Sequence, residues 1–189
     1  MSKIALGTVQ FGIDYGVNSV DGQVGPEEVK KILSYANLKG VGLLDVAPAY
    51  GNSEKILGRM NVSNFKVVTK TRHFDSLEID NNDVKLLNND FHHSLKDLKQ
   101  YSVYGVLIHD ADDLLKPGAE KLFDKLQELK QAEKIVKIGV SVYDHSQLQS
   151  ILDNFAIDLV QLPFNILDRR MIDSGMLSTL RSSNTEVHA

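Results

Sequence analysis

Apolar residues along the chain alternate between two rhythms. Six short runs are apolar at nearly every position: 3–8 (KIALGT), 41–47 (VGLLDVA), 66–70 (KVVTK), 104–109 (YGVLIH), 136–142 (VKIGVSV) and 158–163 (DLVQLP). Runs of this kind predict parallel strands buried on both faces. Between them the apolar residues recur at helical spacing. In 83–99, Val84, Leu87, Phe91, Leu95 and Leu98 fall 3, 4, 4 and 3 residues apart and make one stripe. Segment 119–131 does the same with Ala119, Leu122, Phe123, Leu126 and Leu129, and a shorter helix after Asp144 would bury Leu148, Ile151 and Leu152. Another helix opens at Pro26, with Glu27 and Glu28 suited to its amino-terminal dipole and Gly40 to its stop.

Strand and helix thus alternate six times, with no low-complexity linker and no shift in composition. One domain over 1–189 is expected. Repeated βα units mean a parallel sheet covered by helices, either doubly wound or closed as a barrel. The glycine fingerprint of a dinucleotide-binding sheet is missing after the first strand, where the chain reads GTVQFG, and no P-loop occurs. The expected fold is therefore α/β, a parallel (β/α) TIM-type barrel. Such a barrel takes about 250 residues, roughly 31 per unit, so 189 residues hold about six of the eight units. The tail from Asp168 onward supplies one further helix in this reading. An incomplete barrel would leave open edges at its first and sixth strands. Either the chain is a truncated piece of a longer one, or another chain closes the gap, as in a homodimer joined through the open edges.

Composition narrows the function classes. A chain that is 42% hydrophobic can bury a sizeable core. A net charge of −4 and a pI near 5.8 argue against a general nucleic-acid or anionic-membrane binder. No apolar run approaches the ~18–20 residues of a membrane span, and MSKIALGTVQ has no signal-peptide core, so a cytoplasmic location is expected. With no cysteine there are no disulfides, thiolate chemistry or cysteine-based zinc sites.

Candidate chemistry gathers where the strands end. Asp45 ends the second run, Tyr50 follows in the loop, Lys70 closes the third and His109 ends the fourth. In a βα barrel these ends share the face on which active sites are built. A free tyrosine, with a pKa near ~10, is a poor acid at neutral pH, and a lysine cation beside it favours the phenolate. The lysine needs a carboxylate to offset its buried charge, and a neutral histidine can donate a hydrogen bond that orients a carbonyl. Such a set suits proton delivery to a carbonyl oxygen. If a hydride reaches the carbon, the reaction is carbonyl reduction. Taken singly, each residue has an ordinary explanation: a turn cap for Asp45, a loop aromatic for Tyr50, a solvated strand end for Lys70 and a polar cap for His109. Their order and strand positions make the joint reading stronger than any one of them.

On these residues the chain resembles the aldo-keto reductases, from ALGTVQFG through LLDVAPAYGNSEKILG, KVVTK, VYGVLIHD and IGVSVYD to LVQLPFNILD. The resemblance implies a catalytic tetrad of Asp45, Tyr50, Lys70 and His109 with Tyr50 as proton donor. It implies NADPH, with NADH as the other nicotinamide candidate, its nicotinamide end near Thr8 and Asp45 and its carboxamide at Ser141 and Gln161. Val142 stands where many members carry asparagine after that serine. The substrate would be a small-molecule aldehyde or ketone. In the family the seventh and eighth strands and their loops grip the rest of the nucleotide, so the isolated chain is expected to bind NADPH weakly and to have little activity.

Other constellations are weaker. His92 and His93 are adjacent on a helix and do not share a face. His73, His145 and His188 lack partners at ligand spacing, so no metal site is expected. Ser141 lies outside any G-x-S-x-G elbow. Asp112 and Asp113 read as the polar lead-in to a turn, and Lys137, Arg169 and Arg170 as a solvated face. Two alternatives stay open: a non-catalytic scaffold serving as a binding or assembly module, and an isomerase or lyase using the Tyr and Lys without a cofactor.

Overall fold

Each apolar run overlaps a strand in the computed structural model, which describes residues 3–16 and 22–189. The strands are β1 (Leu6–Gly7), β2 (Leu43–Asp45), β3 (Lys66–Lys70), β4 (Val103–Ile108), β5 (Ile135–Ser141), β6 (Leu159–Gln161) and β7 (Glu186–His188). The helices are α1 (Val9–Gly12), α2 (Pro26–Leu38), α3 (Ser53–Arg59), α4 (Asn81–Leu98), α5 (Glu120–Gln131), α6 (His145–Leu152), α7 (Arg170–Asp173) and α8 (Met176–Ser182), with a 3₁₀ turn at Ala111–Leu114. Strand order in the sheet follows chain order.

The chain forms two compact units. The first comprises Met1–Lys70 and Asn89–Tyr104. Here β1, β2 and β3 pair in parallel, with Leu6 opposite Leu44 and Asp45 opposite Val68. Leu44, Val67 and Val68 are buried in the strands, and Val29, Leu33 and Leu57 in the helices. Pro26 occupies the first turn of α2, and Gly40 takes a φ of +72° just beyond it, a left-handed conformation that glycine reaches without strain. The carboxyl-terminal part of α4 buries Phe91, Leu95 and Leu98.

The second unit comprises Thr71–Asn88 and Gly105–Ala189. In it β5, β6 and β7 pair in parallel, with Ser141 opposite Gln161 and Gln161 opposite His188. Helix α5 buries Leu122, Phe123, Leu126 and Leu129, and α6 buries Leu148 and Ile151. Helix α4 starts from a reciprocal cap within this unit. Asp80 Oδ1 accepts the N–H of Asn82 and Asp83, and Asp83 Oδ2 accepts the N–H of Asp80. Asp144 caps α6 by accepting the N–H of Ser146 and Gln147.

Two expectations are corrected. The strand at 158–163 is not the last, because Glu186–His188 pairs with β6 as a seventh. Three residues are too few to show a strand rhythm, and Val187 remains partly exposed. Asp113, expected as part of the polar lead-in to a turn, does lie in the 3₁₀ turn but does not face solvent. It is fully buried, where it accepts from Lys116 Nζ at 2.7 Å and from the N–H of Phe74 at 3.3 Å. Burial pushes its carboxyl pKa up, and Lys116 opposes that. Lys137 and Arg170 carry partners of their own, Glu186 at 2.6 Å and Asp168 at 2.7 Å.

Candidate active site

Within the first unit, the carboxyl ends of β2 and β3 bring three titratable side chains together. Lys70 is the last residue of β3, and its side chain is 2% exposed. Its Nζ donates to Asp45 Oδ1 at 2.5 Å and to Tyr50 Oη at 3.2 Å, and it lies 5.0 Å from the centre of the Tyr50 ring. Burial pulls the Lys70 ammonium below its usual range, while the Asp45 carboxylate works the other way through its charge and its hydrogen bond. The outcome is a cation bridging one carboxylate and one phenol.

Tyr50 owes its place to the backbone around it. Its N–H donates to the carbonyl of Ala47 at 2.9 Å, and its own carbonyl accepts the N–H of Ser53 at 3.1 Å. Gly51 follows with a φ of +57°. Gly12, at the end of α1, lies so close that a Cβ there would stand 1.6 Å from the Tyr50 carbonyl oxygen. Only a residue without a side chain allows this approach.

Behind the cluster, two hydroxyls are wholly buried. Thr8 Oγ1 donates to the backbone carbonyl of Asp45 at 2.8 Å, and Ser53 Oγ lies 2.9 Å from both Thr8 Oγ1 and the Thr8 carbonyl. Glu54 is buried as well, accepting from Thr69 Oγ1 at 2.7 Å. Successive residues of a strand point to opposite faces, so Thr69 turns toward Glu54 and α3 while Lys70 turns away from them. Burial pushes the Glu54 carboxyl up, and hydrogen bonds from Thr69 and Ser94 only partly offset it.

The remaining expected residues lie in the second unit. His109 follows β4, and its N–H donates to Thr71 Oγ1 at 3.2 Å. It lines a cavity of about 600 Å³ together with His73, Asp110, Ser141 and Tyr143. Ser141 and Gln161 end β5 and β6 side by side, and the N–H of Val142 donates to the Gln161 carbonyl at 2.9 Å. Among the described residues no cluster of histidine and acidic side chains is arranged to hold a metal ion. His73 instead pairs with Asp110 at 2.8 Å and His93 with Asp97 at 3.3 Å.

Asp45, Tyr50 and Lys70 therefore meet as their strand positions predicted, whereas Thr8 is enclosed and already hydrogen-bonded. Gly12, Ser53 and Glu54 escaped the reading of the sequence as site residues. Ser53 and Glu54 stand in GNSE, three and four residues beyond Tyr50, but nothing in that spacing reveals that Thr8 and Thr69 receive them.

A model of the aldo/keto reductase family matches residues 3–189. The chain is 28% identical over 186 residues to the aldo-keto reductase YhdN of Bacillus subtilis, a match that takes in 92% of this chain and 53% of that protein. It thus spans about half the length of this curated relative. Among solved structures it is similar to PA4992 from Pseudomonas aeruginosa, assigned as an aldo-keto reductase. The TM-score is 0.80 at 23% identity, over 97% of this chain and 70% of the other. It is also similar to the Bombyx mori aldo-keto reductase AKR2E4, solved in complex with NADP, with a TM-score of 0.70 at 20% identity, over 98% of this chain and 61% of that one. At such identities the solved structures speak for the fold, and the family model, which takes in almost every residue, speaks for descent. The chain belongs to the aldo/keto reductase family.

Proposed function

We propose that the chain carries the proton-transfer part of a nicotinamide-dependent oxidoreductase that reduces an aldehyde or ketone to an alcohol. The observation that carries this reading is the Lys70 cation held between Asp45 and the Tyr50 hydroxyl. A bound reduced nicotinamide, NADPH in preference to NADH, would supply the hydride to the carbonyl carbon. Tyr50 gives its phenolic proton to the carbonyl oxygen as negative charge builds there. Lys70 stabilises the phenolate left behind, and Asp45 holds Lys70 charged and in place. His109 orients the carbonyl by donating a hydrogen bond, and the phenol is recharged from solvent.

The residues present fit the amide end of a nicotinamide. A carboxamide needs both an acceptor and a donor, and the Ser141 hydroxyl and Gln161 amide, neighbours in register, offer both. Asp45 is the remaining proposed contact to the nucleotide, since the buried Thr8 hydroxyl is already engaged with the Asp45 carbonyl and Ser53. These residues reach only the nicotinamide end, so the isolated 189 residues bind NADPH more weakly than micromolar.

Tyr50→Phe tests the assignment in the longest natural chain that contains these residues. Carbonyl reduction falls by at least ~100-fold, the usual reach of a general acid, while calorimetric NADPH affinity stays within about twofold. Unchanged turnover would remove Tyr50 from the mechanism.

One observation favours a second reading, that of a non-catalytic assembly module. Strand β1 stands at the end of the sheet order, and an apolar groove of about 560 Å³ lined by Ile4, Leu6, Ile32 and Val41 lies beside it. A second copy of the chain, pairing through such edges, would be its partner.

A further inference from the structure

Asp45 and Tyr50 are joined by a second route besides Lys70, and it runs through side chains with no solvent exposure. From the Tyr50 carbonyl the path passes to the Ser53 N–H at 3.1 Å and on through Ser53 Oγ to Thr8 Oγ1 at 2.9 Å. Thr8 Oγ1 then donates to the Asp45 carbonyl at 2.8 Å, and the Thr8 N–H reaches the same oxygen at 3.0 Å. Thr8 and Ser53 are both 0% exposed. Resting on the reading that Asp45, Tyr50 and Lys70 transfer a proton, we infer that Ser53 and Thr8 form a buried hydroxyl clamp that sets the spacing of Asp45 and Tyr50 on either side of Lys70.

The physical case rests on what each bond spans. Ser53 is 45 positions from Thr8 in sequence, and Thr8 is 37 from Asp45, so the clamp closes two long loops onto one point. Fixing β1, the end of β2 and the start of α3 to one another leaves the Tyr50 loop little freedom. Lys70 alone could not impose this, because an ammonium on a four-carbon stem follows its partners. Thr8, expected from resemblance to contact the cofactor, becomes a positioning residue in this assignment: its hydroxyl is spent on Asp45 and Ser53. An error of about 1 Å in a catalytic group can cost about 100-fold in rate, so the clamp matters even though it touches no substrate.

Ser53→Ala is the clean variant. It leaves no donor orphaned, since Thr8 Oγ1 keeps the Asp45 carbonyl and the Thr8 carbonyl still accepts the Phe11 N–H. Two readouts follow, one of them independent of turnover. NMR titration of the Lys70 amine, identified by its loss in Lys70→Met, should shift downward by about half a unit or more as the Tyr50 loop, no longer tied to Thr8, draws its hydroxyl away from Lys70, with the thermal midpoint little changed. In the same variant kcat falls about tenfold while KM and NADPH affinity stay within about twofold. A Lys70 titration that does not move in Ser53→Ala overturns the clamp whatever turnover does. If Tyr50→Phe keeps full activity while Ser53→Ala still shifts Lys70, the proton-transfer reading fails and the clamp stands.

Discussion

At the scale of single residues, the spacing between a phenol, an ammonium and a carboxylate decides whether proton transfer is feasible, and here backbone contacts set much of that spacing. Gly12 is the sharpest instance. Its backbone lies against the Tyr50 carbonyl, and a methyl group there would meet an oxygen that cannot rotate away. Gly12→Ala is therefore expected to destabilise the fold by about 1–3 kcal/mol, the usual cost of overpacking a filled site. It should also lower carbonyl turnover by more than the folded fraction accounts for. Chemical denaturation read beside steady-state kinetics checks both, and wild-type values in each would refute the contact. The sequence made Asp45, Tyr50 and Lys70 legible because each ends a strand or follows one, and strand ends can be read from apolar runs. Gly12 and Ser53 were illegible because their importance lies in contacts with residues 38 and 45 positions away.

At the scale of elements, α3 is packed tightly against α4, and Glu54 lies buried next to β3. A Cβ on Gly58 would stand 2.0 Å from the Asp97 carbonyl, so α3 meets α4 across a glycine. Glu54 is buried, hydrogen-bonded to Thr69 of β3 and to Ser94 of α4, with Asp97 adding like charge. Its carboxyl is pushed above its ordinary 4.5, so between that value and its folded value the native state binds the proton more tightly than the unfolded chain does. Stability contributed by protonated Glu54 is thus full below about 4.5 and declines as pH rises through the folded value. Glu54→Gln should remove that decline, and urea unfolding from pH 4 to 8 would reveal it as a flatter profile. A parallel profile in the two proteins would show that Glu54 binds its proton no more tightly in the folded state than in the unfolded chain. The apolar stripes announced α4, α5 and α6, and start and stop signals announced α2. Helices α1, α3, α7 and α8 are four to seven residues long, too short for periodicity to emerge.

At the scale of the whole molecule, among the described residues β1 and β7 stand at the two ends of the sheet order, each with a single strand neighbour. Strands so placed offer unpaired N–H and C=O groups. In the second unit, the segment after β6 exposes Ile166 at 90% and Leu167 at 92%. If edge pairing between copies operates, sedimentation velocity across a hundredfold range of concentration should move from monomer toward dimer, and Ile166→Asp with Leu167→Asp should leave that shift intact if the β1 edge is the contact. A single monomeric species throughout would leave the assembly reading without support. Among the described residues no helix is long and apolar enough to cross a membrane.

The sequence by itself determined the α/β class, the strand-by-strand alternation and which residue types stand at the ends of β2 and β3 and in the loop between them, because periodicity and strand-end position are properties of neighbouring residues. The tertiary structure alone decided that β7 exists, that Asp113 is buried, that Thr8 is enclosed and that Ser53 ties it to the Tyr50 loop. Those outcomes depend on hydrogen bonds and close approaches between residues far apart in the chain. No local pattern records such a distance; it comes into being only when the strands have paired and the helices have packed.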